Sequence, residues 1–248
     1  MSDGMSSHTV ELGFVAALER EVSGIVRGWG QSTVRSGNET WQIYREGRDG
    51  GAAVICAGTG SARAHAAAKA LVENCSPRVL VSIGFAGACV GFLAPGGIVV
   101  PAILVEAATG RKFPCAFGNG EFVTLDRVAG KALKQDSYER FGALAVDMEA
   151  AGVAAAAAEL GKEFAAIKVV SDGVDEDLGF LSDFVTPDGF ATVRFVAHIA
   201  VRPWLWRKVA SLQTNSALAA KSLESAVESC MKDWQRFATR FSNSAAQV

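Results

Sequence analysis

The chain has 248 residues, half of them hydrophobic, and a formal net charge of −2 at pH 7. This length suits one α/β domain with a substantial core, and the near-neutral charge of mixed sign gives no reason to expect a nucleic-acid partner. No uncharged apolar run reaches the roughly 18–20 residues of a membrane span, and the first ten residues lack the layout of a signal peptide.

The number and spacing of the cysteines indicate whether disulfides or a metal site are expected. The five cysteines, at positions 56, 75, 89, 115 and 230, are far apart and form no CxxC pair. Such spacing predicts reduced thiols in a cytoplasmic protein and no metal site. The three histidines are equally scattered, and no GxSxG motif is present to support a serine nucleophile.

Apolar stretches typical of buried strands alternate with stretches typical of helices. Strands are predicted, in chain order, at 10–17, 41–47, 52–58, 78–84, 96–107, 143–149 and 164–173. Helices are predicted at 18–26, at 59–75 with Ser61 as its cap, near 128–140, and from 150 onward. This alternation predicts a three-layer α/β/α sandwich around a central mixed, largely parallel sheet.

The C-terminal stretch has a different pattern. We expect the whole chain, 1–248, to form a single domain with a helical extension from about residue 190. Basic residues lie among tryptophans and aliphatic residues over 194–210. That composition suits a membrane surface, but packing on the core or on a partner subunit is the preferred interpretation.

Four polar clusters follow the carboxyl ends of predicted strands. They are Glu19 with Glu21, Gly58-Thr59-Gly60, Asp147 with Glu149, and Ser171 with Asp172. In open α/β sheets, ligands bind beyond the carboxyl ends of the strands. The clusters therefore predict one ligand site, whereas surface helix caps would have no reason to gather on one edge.

Each of these acids also has a plain structural interpretation. Asp147 and Glu149 stand at the start of an alanine-rich helix, where free N–H groups favour acids. Asp172 precedes Gly173 and is able to form an Asx turn, while Glu21 is able to be an exposed acid in the first turn of a helix. We expect Asp147 to begin its helix and Glu149 to contact a ligand.

Several motifs together resemble the superfamily of purine nucleoside phosphorylases and methylthioadenosine/S-adenosylhomocysteine nucleosidases. ALEREV, CAGTGSARAHAAAKAL and SIGFAGACVGFLAPGGIVVP are similar to three of its segments, over most of 10–185. VDMEAAG resembles its Val-Glu/Asp-Met-Glu signature and KVVSDG its Arg-x-x-Ser-Asp. The separation of 23 positions from Glu149 to Asp172 agrees with the family without a gap.

This resemblance implies roles for the three remaining acids. Asp172 would act as the acid at the purine, Glu149 would accept hydrogen bonds from the ribose hydroxyls, and Glu21 would activate an attacking water. Such roles suit carboxyl groups, since cleavage passes through an oxocarbenium-like state with a leaving base.

The resemblance also implies a set of substrate-binding residues around these acids. The set is Asp147, Met148, Phe85, Ala86, Gly87, Thr59, Gly60, Ser171, Lys168, Asp126 and Arg127. Two members depart from the family pattern: Lys168 replaces an arginine and so lacks its planar fork, and Phe85 replaces a serine often found in nucleosidases. For Thr59, a plain tight turn is an equal alternative.

The predicted function is cleavage of the N-glycosidic bond of an adenine-type purine nucleoside, by phosphorolysis or by hydrolysis. No metal or organic cofactor is expected, and inorganic phosphate is the alternative co-substrate. FVTLDRV, GALAVDMEAAG and the Arg-Pro-Trp-rich tail resemble hopanoid-associated nucleoside phosphorylases, which implies an adenosyl-lipid substrate. A nucleoside-binding protein without catalysis is the further alternative, and the family implies a homodimer or a higher homo-oligomer.

Overall fold

The computed structural model describes residues 10–47, 50–186, 189–190 and 206–243. The strands are β1 Val10–Ala16, β2 Gly30–Ser36, β3 Glu39–Arg45, β4 Gly50–Cys56, β5 Val79–Ala88, β6 Ile98–Val99, β7 Ile103–Glu106, β8 Lys112–Pro114, β9 Glu121–Thr124, β10 Ala143–Asp147, β11 Glu163–Asp172, β12 Val185–Thr186 and β13 Gly189–Phe190. The helices are α1 Glu19–Val22, α2 Ser61–Cys75, α3 Lys131–Phe141, α4 Ala150–Glu159, α5 Trp206–Lys232 and α6 Trp234–Asn243, with a 3₁₀ helix at Gly179–Phe184.

The main sheet is mixed, as predicted. Its strands follow the order β2-β3-β4-β1-β5-β10-β9-β7-β8, and β11 pairs with β5 and β6. The central pairings of β1 with β4 and β5, and of β11 with β5, are parallel. Antiparallel pairings add β2 and β3 at one edge and β8 at the other.

Helices cover both faces of the sheet, so the chain has the predicted three layers. Helices α2 and α4 pack on each other and on one face, where their alanines form a core with Leu71 and Val153. Helices α5 and α6 cover the other face through Leu223, Val227 and Phe237. Within the described ranges, no helix has the length and hydropathy that a membrane span requires.

Strand β5 changes its pairing partner on one side, and the site lies at this change. On one side β5 pairs with β11 from Val79 to Gly87. On its other side, pairing with β1 ends at Ser82 and pairing with β10 begins at Gly87. The sheet therefore divides around Ile83–Ala86, and the backbone of this segment is free to form the wall of a cavity.

Some predicted elements differ from the structure. The strand predicted at 96–107 is two strands, β6 and β7, because Pro101 has no N–H for continuous pairing. Ser61 is the first residue of α2 rather than its cap, and Gly60 stands in the cap position. Strands β2, β8, β9, β12 and β13 were not predicted. The stretch 191–205, which holds most of the 194–210 segment, lies outside the described residues.

Candidate active site

A cavity of about 520 Å³ lies at the carboxyl ends of β1, β5, β10 and β11. It is lined by Leu18, Arg20, Glu21, Thr59, Phe85, Ala86, Gly87, Leu125, Arg127, Val128, Ala129, Val146, Asp147, Met148, Glu149, Ser171, Asp172, Leu178, Leu181, Leu212, Gln213 and Ser216. At least one residue from each of the four predicted clusters lines this cavity. Its volume is in the range of cavities that enclose a small organic ligand.

Asp147 ends β10, and its side chain satisfies the start of helix α4, which begins at Ala150 with Glu149 rather than Asp147 in the cap position. Its Oδ2 accepts a hydrogen bond of 3.0 Å from the Ala150 N–H, and its Oδ1 accepts one of 2.7 Å from the Thr124 hydroxyl. Thr124 Oγ1 in turn accepts from the Ala151 N–H. The first free N–H groups of α4 are therefore satisfied by strand-end side chains.

A buried lysine balances the charge of Asp147. Lys168 Nζ lies 2.8 Å from Asp147 Oδ2, and both side chains are 1% exposed. The same nitrogen lies 3.4 Å from the carbonyl oxygen of Ile83. Lys168 thus joins β11, β5 and β10 behind the cavity wall.

Glu149 lies two residues further on and turns its carboxyl group toward the Gly58–Gly60 turn. Its Oε1 accepts a hydrogen bond of 2.9 Å from the Gly60 N–H. Burial of the carboxyl group, and then the negative charge of Asp147, raise its pKa from 4.5 to about 7. This buried carboxyl group therefore holds a proton more readily than an exposed glutamate does.

Glu21 is buried, although its place in a short helix also suits an exposed acid. Its Oε2 accepts hydrogen bonds of 3.2 Å from the N–H groups of Ala17 and Leu18. A Cβ atom on Gly84 would lie 3.0 Å from the same oxygen, and Gly84 has a φ of +139°. Glycine at this position therefore allows close approach. Burial raises the pKa of Glu21 above 4.5.

Asp172 ends β11 and belongs to a buried polar cluster. Its Oδ1 accepts a hydrogen bond of 2.7 Å from the Ser171 hydroxyl, and its Oδ2 pairs with Lys134 Nζ. Lys134 Nζ also donates to the carbonyl oxygens of Gly173, at 2.8 Å, and Glu176, at 3.0 Å. These three acceptors use all three protons of the ammonium group.

Apolar groups form much of the rest of the lining. Met148 and Phe85 border the cavity together with the carboxyl-bearing residues. The 3₁₀ helix and the preceding loop add Leu178 and Leu181, and α5 adds Leu212. The cavity thus joins a polar end at the strand termini to an apolar side under helix α5.

Three residues predicted to bind substrate do not line the cavity. Lys168 is buried behind its wall against Asp147, so its side chain acts on the site through Asp147. Gly60 contributes its N–H to Glu149 instead. Asp126 is exposed and pairs with the neighbouring Arg127 at 2.9 Å. The other eleven site residues predicted from sequence line the cavity.

Sequence reasoning missed Lys134 and the residues of the loop and α5. Lys134 lies in KALKQDSYERF, a charged segment in which nothing marks one lysine as buried. Leu178, Leu181, Leu212, Gln213 and Ser216 come from segments that reach the site only through tertiary packing.

A family model described as the phosphorylase superfamily matches residues 102–191. This match covers β7 to β13, including Asp147, Glu149, Ser171 and Asp172. It confirms the resemblance found in the sequence. No curated protein sequence matches the chain.

Solved structures share the fold. Arabidopsis thaliana 5′-methylthioadenosine nucleosidase is 17% identical with a TM-score of 0.66, over 97% of both chains. Helicobacter pylori 5′-methylthioadenosine/S-adenosylhomocysteine nucleosidase, bound to butyl-thio-DADMe-immucillin-A, is 17% identical with a TM-score of 0.63, over 89% of this chain and 99% of its own. Futalosine hydrolase of the same bacterium is 16% identical with a TM-score of 0.64, over 89% and 98%. At these identities the likeness shows the fold.

Proposed function

We propose that this chain, of which residues 102–191 match the phosphorylase superfamily, cleaves the N-glycosidic bond of a purine nucleoside. The observation that carries the proposal is the presence of three carboxyl groups, those of Glu21, Glu149 and Asp172, on the wall of one cavity. Bond cleavage needs negative charge near a cationic sugar and a partner for the leaving base. Three acids from three strand ends supply both.

Asp172 is the candidate contact for the base. Its carboxyl group reaches the cavity beside the backbone of Ala86 and Gly87, and Ser171 fixes its Oδ1. Glu149 is the candidate contact for the sugar hydroxyls, because it accepts hydrogen bonds when ionised. Its Gly60 hydrogen bond orients the carboxyl group, and Met148 provides an apolar surface next to it.

Glu21 is the candidate base that takes a proton from an attacking water. Its pKa is raised by burial, which brings a carboxylate closer to the range in which a general base works near neutral pH. A phosphate entering the same cavity would face the carboxyl groups of Glu21 and Glu149, so hydrolysis is the first candidate. Phosphorolysis is the second, because Arg20 lines the cavity and its positive charge would attract phosphate.

The apolar side of the cavity favours an apolar group on the nucleoside. Leu178, Leu181 and Leu212 would surround a substituent on the 5′ carbon of the ribose, such as a methylthio group. The same side suits the adenosyl-lipid implied by the hopanoid subgroup. Neither reaction requires a metal or an organic cofactor, since water or phosphate is the nucleophile.

Chromatography of the free base tests the proposal. The purified protein is incubated with methylthioadenosine, S-adenosylhomocysteine, adenosine, inosine and an adenosyl-lipid analogue, each with and without phosphate, beside Asp172→Asn. Base release without phosphate supports a nucleosidase, and strict phosphate dependence supports a phosphorylase. Binding without release from any of them would overturn the enzymatic proposal in favour of a nucleoside-binding protein.

A further inference from the structure

The ammonium group of Lys134 is the most deeply buried charge around Asp172. Lys134 is 0% exposed, and its helix α3 otherwise buries only Ser137, so this helix places a lysine where an apolar residue would be expected. Burying an ammonium group is costly unless it is paired and fully hydrogen-bonded. All three of its protons are bound here, to Asp172, Gly173 and Glu176.

The neighbouring backbone leaves room for this pair. A Cβ atom on Gly87 would lie 2.9 Å from Asp172 Oδ2 and 2.9 Å from Lys134 Cε. The absence of a side chain at residue 87 therefore lets the pair lie close against the end of β5. Lys134 itself does not border the cavity, so it acts on a ligand only through the residues that it contacts.

The same ammonium group also binds the loop of residues 173–176, which follows β11. It holds the carbonyl oxygens of Gly173 and Glu176. The Glu176 carboxyl group then accepts hydrogen bonds from the Gly173 N–H, at 3.3 Å, and from Asn215 of α5, at 3.2 Å. Helix α5 carries Leu212, three residues before Asn215, and Ser216, directly after it, on the cavity wall. Lys134 thus connects Asp172 to the helix that closes the apolar side.

We propose that Lys134 is a positioning residue of this site, which holds the Asp172 carboxylate in place and fastens the 173–176 loop and, through it, the α5 wall. The proposal rests on the proposed function for its catalytic consequence. Lys134 and Ser171 together hold the Asp172 carboxyl group in one orientation toward the base. Without the cation, this buried group would lose its charged partner and would turn away from that orientation.

The matched control lies one turn earlier on the same helix. Lys131 pairs with Asp175 of the same loop at 2.7 Å, but its side chain is 57% exposed and that of Asp175 is 81% exposed. Exposed pairs contribute little. Lys131→Met therefore removes a lysine from the same helix and loop without touching Asp172.

The experiment compares Lys134→Ala, Lys134→Gln and Lys131→Met with the parent chain, each first shown to be folded by circular dichroism. Two readouts are taken: steady-state kinetics on the best substrate, and hydrogen–deuterium exchange of segments 173–178 and 210–217. Each is repeated with propylammonium, which fits the space left by the lysine side chain, and with propanol as the uncharged comparison.

For both Lys134 variants we expect kcat to fall by about 100-fold or more and exchange in both segments to rise. Propylammonium, but not propanol, should restore kcat of Lys134→Ala by about 10-fold or more and lower its exchange, and Lys131→Met should behave as the parent. Unchanged exchange and kcat in a folded Lys134 variant would overturn the proposal, as would equal rescue by propanol. If the parent releases no base from any nucleoside, the proposed function fails, and the exchange data alone decide the role of Lys134.

Discussion

Lys168 and Asp147 form an ion pair of 2.8 Å in which each side chain is 1% exposed. Asp147 lines the cavity at the end of β10, just before helix α4, and Lys168 lies behind it. In place of the arginine that the resemblance implies, this chain has a lysine with one carboxylate partner and a carbonyl oxygen 3.4 Å away. The pair therefore supports the site by holding the start of α4.

Removing one member of this pair should be strongly destabilising. Lys168→Met leaves the Asp147 carboxylate buried with only the Thr124 hydroxyl and the Ala150 N–H as donors. We expect the free energy of unfolding to fall by about 3–5 kcal/mol. Urea denaturation followed by circular dichroism measures this change.

The double variant separates charge pairing from packing. Asp147→Asn combined with Lys168→Met removes both charges. The free energy of unfolding of this double variant should therefore be about 1 kcal/mol or more higher than that of Lys168→Met alone. A double variant that is as unstable as the sum of the two single changes would show that the pair contributes no coupling.

The sequence predicted the acids of the site because each follows an apolar strand. Alternating strands and helices put their carboxyl ends on one edge, and Glu21, Asp147, Glu149 and Asp172 all reach the cavity region. The parallel core around β5 follows from the same pattern, since apolar runs such as Val79–Ile83 are buried on both faces.

What the sequence did not predict depends on long-range packing or on polar strands. Lys134 sits in a charged helix, and only its tertiary contact with Asp172 distinguishes it from the exposed Lys131. Strand β2 reads GQSTVRS and is largely exposed at the sheet edge, so it has no apolar alternation to reveal it. The wall residue Leu212 lies some 40 residues beyond Asp172 and reaches the site only when α5 folds back.

The pKa of Glu149 predicts a pH-dependent stability. Because folding raises this pKa from 4.5 to about 7, the folded state binds the proton more tightly. The unfolding free energy contributed by Glu149 is therefore fully present below about pH 4.5 and is lost as the pH rises through 7.

Glu149→Gln has no such titration. Relative to the parent, we expect it to gain on the order of 2 kcal/mol in unfolding free energy between pH 5 and pH 8. Denaturation of both proteins at the two pH values measures the gain. A constant difference across that range would contradict the raised pKa.

Glu21→Gln tests the proposed water activation without disturbing the local fold. The glutamine Oε1 is able to accept the same two hydrogen bonds from Ala17 and Leu18 that Glu21 Oε2 accepts. We expect phosphate-independent base release to fall by about 10²–10⁴-fold, while the melting temperature stays equal or rises because a buried acid is removed.

The control for Glu21 is its exposed neighbour Glu19, which lies outside the cavity lining. Glu19→Gln should keep the rate of the parent. Retained hydrolysis in Glu21→Gln would exclude this glutamate as the base and would direct attention to phosphorolysis and Arg20.

Gly152 tests the packing that sets the position of the site. A Cβ atom there would lie 1.9 Å from the carbonyl oxygen of Ser61 and 3.0 Å from the N–H nitrogen of His65, so α4 crosses α2 with backbone nearly on backbone. Gly152→Ala must push the two helices apart, a cost that exceeds the roughly 1 kcal/mol that alanine gains over glycine inside a helix. We expect the free energy of unfolding to fall by about 3 kcal/mol, which for a chain of this size lowers Tm by about 6–12 °C.

Gly91→Ala is the control, because a Cβ atom there meets nothing within 4 Å, and its Tm should stay near that of the parent. Since α2 begins beside Gly60 and α4 beside Glu149, the shift in Gly152→Ala should also weaken the 2.9 Å hydrogen bond between them and raise KM for the nucleoside. A Gly152→Ala chain with the parent's Tm and KM would contradict the close helix crossing.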